Sequence, residues 1–134
     1  MAFSIRLLPI TICGPDGQRL GEIRIEDFTE RFAVHPITGS VDDVAATWPI
    51  ALERLLAGAS AVGLATASNM GWIFYRFGNA ILVHQILFVP GWGGELDAMG
   101  NVTRVPPYQC VSDDGSRISE WSTGAEAIRA FLTA

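Results

Sequence analysis

The sequence of 134 residues has no lysine: its 9 cations are all arginine, set against 14 carboxylates for a formal net charge of -5. Nucleic-acid binding needs clustered Lys and Arg to displace counterions from phosphate, so this balance argues against that class and against anionic membrane surfaces. Long apolar runs are also missing, and none approaches the roughly 20 residues that cross a bilayer. The opening MAFSIRLLPITICGPDG holds one arginine inside an alternating run and no small-residue cleavage site, so it reads as a strand rather than a signal peptide. Cysteine is scarce. Cys13 and Cys110 lack CxxC spacing and fall on separate predicted strands, which leaves a disulfide open but makes buried thiols in a reducing, cytoplasmic compartment the commoner outcome. Two histidines, His35 and His84, stand far apart and match no ligand spacing, so neither a metal nor another cofactor is expected.

What remains is 49% apolar, the composition of a folded chain, and its length suits one domain over residues 1–134. The organising stretch is Gly71 to Pro90. It reads as a hairpin about Gly78-Asn79, whose leading glycine supplies the positive φ of a tight turn. That register pairs Phe77 with Ala80, Tyr75 with Leu82 and Ile73 with His84 on one face. On the other face Arg76 meets Ile81, Phe74 meets Val83 and Trp72 meets Gln85. Both faces are mostly apolar, which predicts the middle of a sheet rather than its rim.

Upstream, residues 3–13 form a strand with a phase shift at Pro9, Pro15-Asp16-Gly17 turns, and a second strand runs from Arg19 to Asp27 with Ile23 and Ile25 inward. Residues 27–39 read as loop. Ser40 and Asp43 form a capping box before a helix carrying Val41, Val44, Trp48, Leu52 and Leu55 and stopping at Gly58, with Pro49 expected to kink or restart it. The small residues of AVGLATA, 61–67, predict a strand under something bulky, with the Trp48 helix as the expected neighbour. A last hairpin about Asp114-Gly115 sets Tyr108 across from Trp121 and Cys110 across from Ser119. Thr123 and Glu126 then cap a short closing helix with Ile128, Phe131 and Leu132 inward. The sum is an α+β fold. It has a mainly antiparallel, twisted sheet of six to seven strands, one long helix after the first hairpin and a short C-terminal helix.

Chemistry is sparse in this pattern. His84 and Tyr75 share a face, and an acid such as Asp27 or Glu120 could join them, which would suit a small enzyme or a ligand-binding domain with an apolar pocket. Gly91, Gly93, Gly94 and Gly100 lie in a long loop, but it lacks the Lys-Ser/Thr ending of a phosphate loop and carries Glu95 and Asp97, which repel phosphate. A contact loop fits better, with Trp92 as an apolar anchor and Glu95 and Asp97 facing cations of a partner. Trp48, Trp72 and Trp121 sit in periodic patterns and are assigned to the core. Asp113 and Asp114 add a second acidic pair.

Several segments resemble the immunity proteins of bacterial contact-dependent growth inhibition systems. They are the run from Ile23 through Glu26, Asp27, Phe28, Glu30 and Phe32; then Ser40, Asp43, Val44, Trp48, Ala51, Leu52, Leu55 and Gly58; then Leu64, Thr66 and Asn69 leading to Trp72, Tyr75, Arg76 and Gly78, followed by Ile86-Leu87-Phe88; and last Ile118-Ser119-Glu120-Trp121. Gly39, Thr47 and Pro49 depart from the pattern about the helix entry. The resemblance implies a cytoplasmic, non-enzymatic inhibitor that binds one cognate toxin, the C-terminal domain of a CdiA-like protein and often a nuclease, without catalytic residues of its own. With an acidic inhibitor the partner is expected to be basic. The expected contact residues are Trp92, Glu95, Asp97, Asp113 and Asp114.

Overall fold

The computed structural model describes residues 2–36, 39–67, 69–87, 94–97 and 101–134. Three strands open the chain, β1 (Phe3–Leu7), β2 (Leu20–Ile25) and β3 (Phe28–Ala33), and pair antiparallel in the order β1-β2-β3. Helix α1 (Val41–Leu56) follows, then β4 (Ala61–Ala65), β5 (Met70–Phe77) and β6 (Ala80–Leu87). A small ribbon, β7 (Glu95–Leu96) with β8 (Val102–Arg104), precedes β9 (Trp121–Gly124) and helix α2 (Ala125–Thr133). The larger sheet runs β4-β5-β6-β9, all antiparallel, so β5 and β6 are its centre.

The central hairpin has the register expected from sequence, Phe77 opposite Ala80 through Ile73 opposite His84, with Gly78 at φ 64 in the turn. Its inner face, Trp72, Phe74, Ile81 and Val83, joins Ile23, Ile25, Phe32, Trp48, Leu52, Leu55 and Ile128 in the main core. Both helices and the three-stranded sheet therefore lie on that side. The outer face carries a second cluster, Ala65, Ile73 and Tyr75, covered by Leu96, Val102, Val105 and Tyr108.

The predicted capping box of α1 is formed: Asp43 N–H donates to Ser40 Oγ at 3.2 Å, and Ser40 N–H to Asp43 Oδ2 at 2.9 Å. Helix α1 runs unbroken through exposed Pro49, so no restart occurs there. Buried Val44, Trp48, Leu52 and Leu55 hold it, and burial of such side chains outweighs the roughly 3 kcal/mol that an interior proline costs. Trp48 is its anchor, donating from Nε1 to the Ala65 carbonyl at 2.8 Å. At the far end Arg76 donates from Nη1 to the carbonyls of Leu55 and Leu56 at 2.9 and 3.0 Å, filling acceptors that a helix leaves orphaned.

Several expectations need correction. Phe28–Ala33, expected as loop, is strand β3; the Glu26-Asp27 turn before it contains no glycine, yet Glu26 takes φ 54. That backbone is held from elsewhere, since Glu26 N–H donates to the Ala2 carbonyl at 2.7 Å and Thr123 Oγ1 to Glu26 Oε2 at 2.7 Å. Thr123 consequently belongs to β9 and does not cap α2, whose N-cap is Gly124 without a side-chain bond. Helix α1 does neighbour β4 as expected, through Trp48 and the Ala65 carbonyl, but Gly63 itself faces outward and is shadowed by Val102 of β8. The first strand ends at Leu7; after it Leu8 N–H reaches the Leu20 carbonyl at 2.8 Å, and Cys13 and Arg19 form an isolated bridge across the turn. Nine strands are present among the described residues: β3, β7 and β8 are additional, while of the expected last hairpin only β9 is a strand and 108–112 keeps a single bridge from Val111 to Arg117. Cys13 and Cys110 are both free and exposed, not buried thiols.

Candidate functional site

The outer face of the large sheet is where polar chemistry collects. Successive side chains of a strand point to opposite faces, so Tyr75 on β5 and His84 on β6 project there with Ile73 and Leu82. Above them crosses the segment 105–120, which begins at Pro106-Pro107 and returns through Ile118 to β9. Tyr75 OH donates to the Pro106 carbonyl at 2.8 Å and fastens that segment to the sheet. The rings of Tyr75, His84 and Tyr108 meet mostly edge to face, with centroids 5.2 to 5.4 Å apart.

Glu120 is the hub of this cluster. Its Oε1 accepts from Tyr108 OH at 2.6 Å and contacts His84 Nε2 at 2.9 Å. An ionised carboxylate can only accept, so the network assigns a proton to Nε2 of His84. The Tyr108 hydroxyl, and then His84, hold the Glu120 carboxyl below its usual range. The same bond, with partial burial, pushes the Tyr108 phenol up to about 12, and burial does so for Tyr75. The acid that joins His84 and Tyr75 is therefore Glu120; Asp27 sits exposed in the β2-β3 turn. Tyr108 as second donor was not foreseen, because the last hairpin is one residue out of the expected register. Val111 bridges Arg117, and Ile118 N–H reaches the Cys110 carbonyl at 3.1 Å, which brings Tyr108 to Glu120 rather than Trp121. Trp121 instead pairs with Val83 and stacks on Phe28.

Beside this cluster a cleft of about 760 Å³ opens between the end of β6 and the 106–118 segment, lined by Tyr75, His84, Ile86, Pro106, Asp113 and Asp114 among others. A five-residue loop, 112–116, forms its rim. Within it the Asp114 carboxylate accepts from Ser112 Oγ and from Ser116 N–H, the second at 2.9 Å, and these bonds bring its pKa down to about 2. The other predicted contact acids lie on the ribbon that covers the same outer face. Glu95 is exposed and pairs with Arg104 at 3.6 Å, while Asp97 accepts from Asn101 N–H at 2.9 Å. Trp92, with Gly91, Gly93 and Gly100, lies outside the described residues. Among the described residues no three metal-ligating side chains converge, and no helix is long and apolar enough to cross a membrane.

Comparison with known proteins bears on these features. None of the curated proteins compared with the chain matches it. One chain of the solved CdiA-CT/CdiI toxin and immunity complex from Enterobacter cloacae shares the fold, with a TM-score of 0.72 and 17% identity over 98% of this chain and 96% of that one. The family model of the CdiI N-terminal domain matches residues 37–131, from the entry of α1 almost to the end of α2. With that model spanning most of the sequence, the chain belongs to the CdiI family of immunity proteins.

Proposed function

We propose that this protein binds the C-terminal toxin domain of a cognate CdiA-like protein, of the nuclease class and basic, and neutralises it in the cytoplasm by one-to-one occlusion. The observation that carries the reading is membership of the CdiI family, supported by the fold shared with a chain of a toxin and immunity complex. The charge is consistent with it. Glu95, Asp97, Asp113 and Asp114 ride on segments covering one face of the large sheet, and a net charge of -5 speeds capture of a cationic partner by long-range attraction. On this reading those acids, with Trp92, contact the toxin, and the protein acts by binding rather than catalysis.

Co-expression with the cognate toxin domain is the test. Cells carrying both genes should grow, the two proteins should co-purify one to one, and Glu95→Arg with Asp97→Arg should slow association and flatten its salt dependence. Cell death despite full expression of the soluble protein would overturn the reading. The cleft beside His84 and Tyr75 favours a second one, a small-molecule site in an enzyme or ligand-binding domain, since its volume falls in the range of ligand pockets. Retention of a small molecule through native mass spectrometry, without any toxin partner, would favour that alternative.

A further inference from the structure

The β6 strand is longer than its partner. Strand β5 pairs with β6 from Ala80 to Leu87, whereas β9 pairs with it only from Ala80 to Val83. Past Val83 β9 no longer pairs with β6, because the chain before Trp121 turns toward Ile118 and the 112–116 loop. Among the described residues no strand takes up the β9-side edge of residues 84–87.

The phase of the ladder says which groups this exposes. In an antiparallel sheet each residue directs its N–H and C=O to one neighbour, alternating along the strand. Ala125 N–H donates to the Asn79 carbonyl at 2.9 Å, which makes Ala80 and Gly124 a non-hydrogen-bonded pair. It follows that Ile81 and Val83 bond to β9, while Ala80, Leu82, His84 and Ile86 bond to β5. Gln85 and Leu87 continue the first series. Their main-chain donors and acceptors therefore point into the open side, where the 760 Å³ cleft lies and which both residues line.

The cleft also has a chemistry. Its far wall presents Pro106, Pro107 and Ile118, and its rim presents Asp113 and Asp114. Both acids are exposed, and the Asp114 carboxylate is fixed in place by Ser112 and Ser116. Exposed strand edges are templates for a further strand, which would sit about 4.8 Å away. Pairing there supplies main-chain bonds, and the pockets beside it choose the side chains. Apolar side chains suit the proline and isoleucine wall, and Arg or Lys suits the acidic rim.

We propose that the toxin domain docks by adding an extended segment, in which apolar and basic residues alternate, to the edge of β6 at Gln85 and Leu87, in the cleft rimmed by Asp113 and Asp114. This rests on the toxin-binding reading above and specifies how the partner is held. Gln85 offers a direct probe, since its side chain is exposed and its N–H serves no described strand. Gln85→Pro removes that donor, and Gln85→Ala keeps it.

The test uses the purified cognate toxin domain with full-length protein, wild type and variants. Gln85→Pro should bind roughly tenfold or more weakly than Gln85→Ala, at an unchanged melting temperature, since the two variants both lose the side chain and differ in the main-chain donor. The amides of Gln85 and Leu87 should also become protected from hydrogen exchange in the wild-type complex. If Gln85→Pro proves unstable, that exchange measurement decides alone. Tight one-to-one binding with no added protection at these amides overturns strand addition and leaves the toxin-binding reading standing. Failure of the wild-type protein to bind the toxin overturns both.

Discussion

Gly63→Ala tests whether the outer cover of the sheet is closely packed. A methyl built on Gly63 would lie 2.6 Å from Val102 Cγ1 and 2.9 Å from both Cβ and Cγ2 of that residue, so no single rotation of the valine relieves the contact. Strand β8 would have to move out, at an overpacking cost of about 1–3 kcal/mol. Replacing a strand glycine returns about 0.5–1 kcal/mol of chain entropy, so the net loss should be roughly 1 kcal/mol. Urea unfolding reads it as a lower midpoint with an unchanged slope. Val102→Ala alone removes half-buried methyls and should cost about 1 kcal/mol. Combined, the two changes trade one set of methyls for the other, and the double mutant should be more stable than the sum of the singles by about 1–2 kcal/mol. Additive losses, or a Gly63→Ala protein as stable as wild type, would mean that β8 does not rest on β4 as described.

Arg76→Ala removes two bonds to the last carbonyls of α1 and a third, from Nε to the Gly78 carbonyl at 2.8 Å. Its cost should be about 2 kcal/mol, or a melting temperature lower by roughly 5 °C, with Arg76→Lys recovering only part; no shift in a thermal scan would refute the capping role. Glu120 is held below its usual range, so its contribution is present above the ordinary glutamate value and lost as pH falls through the lowered one. Chemical-denaturation curves should accordingly show Glu120→Gln weaker than wild type at neutral pH, with the gap narrowing as the pH falls through the lowered Glu120 value; a gap independent of pH would contradict the network. Because Cys13 and Cys110 are free and exposed, a thiol reagent should titrate both without denaturant, and protection of either until unfolding would count against their positions.

The features legible in sequence are those whose cause is local. Gly78 announces the central turn because it supplies a positive φ within the hairpin itself, and Ser40 with Asp43 announces α1 because cap and partner are three residues apart. The features missed depend on distant residues. Glu26 turns without glycine because Ala2 and Thr123 hold it, 24 and 97 residues away along the chain. Gly63 implies a bulky neighbour, but Val102 lies in a segment with no periodicity to single it out. At the candidate site, His84 and Tyr75 share a face by simple alternation and were readable. The identity of their acid depended on the 112–116 loop, where the Asp114 carboxylate organises five residues instead of a two-residue turn and shifts the register by one. That β6 outruns β9 among the described residues is invisible in sequence altogether, since it is set by where β9 stops.

The Glu26 turn bears on how the protein is made. Its left-handed backbone, unfavourable for a residue with a side chain, is stabilised by a hydroxyl from the last strand, and Phe3 in β1 packs edge to face on Phe131 of α2 at 5.5 Å. Such long-range closures form late, since the chain entropy of joining distant segments is lost before the contacts repay it. A chain truncated after Ser122 should therefore leave β1, β2 and β3 exchanging freely, whereas protection equal to that of the full chain would show them stable alone. Strands β1, β2 and β3 thus settle only once β9 and α2 are in place, so the slow step toward the native molecule is the joining of segments 97 residues apart rather than the formation of any one strand.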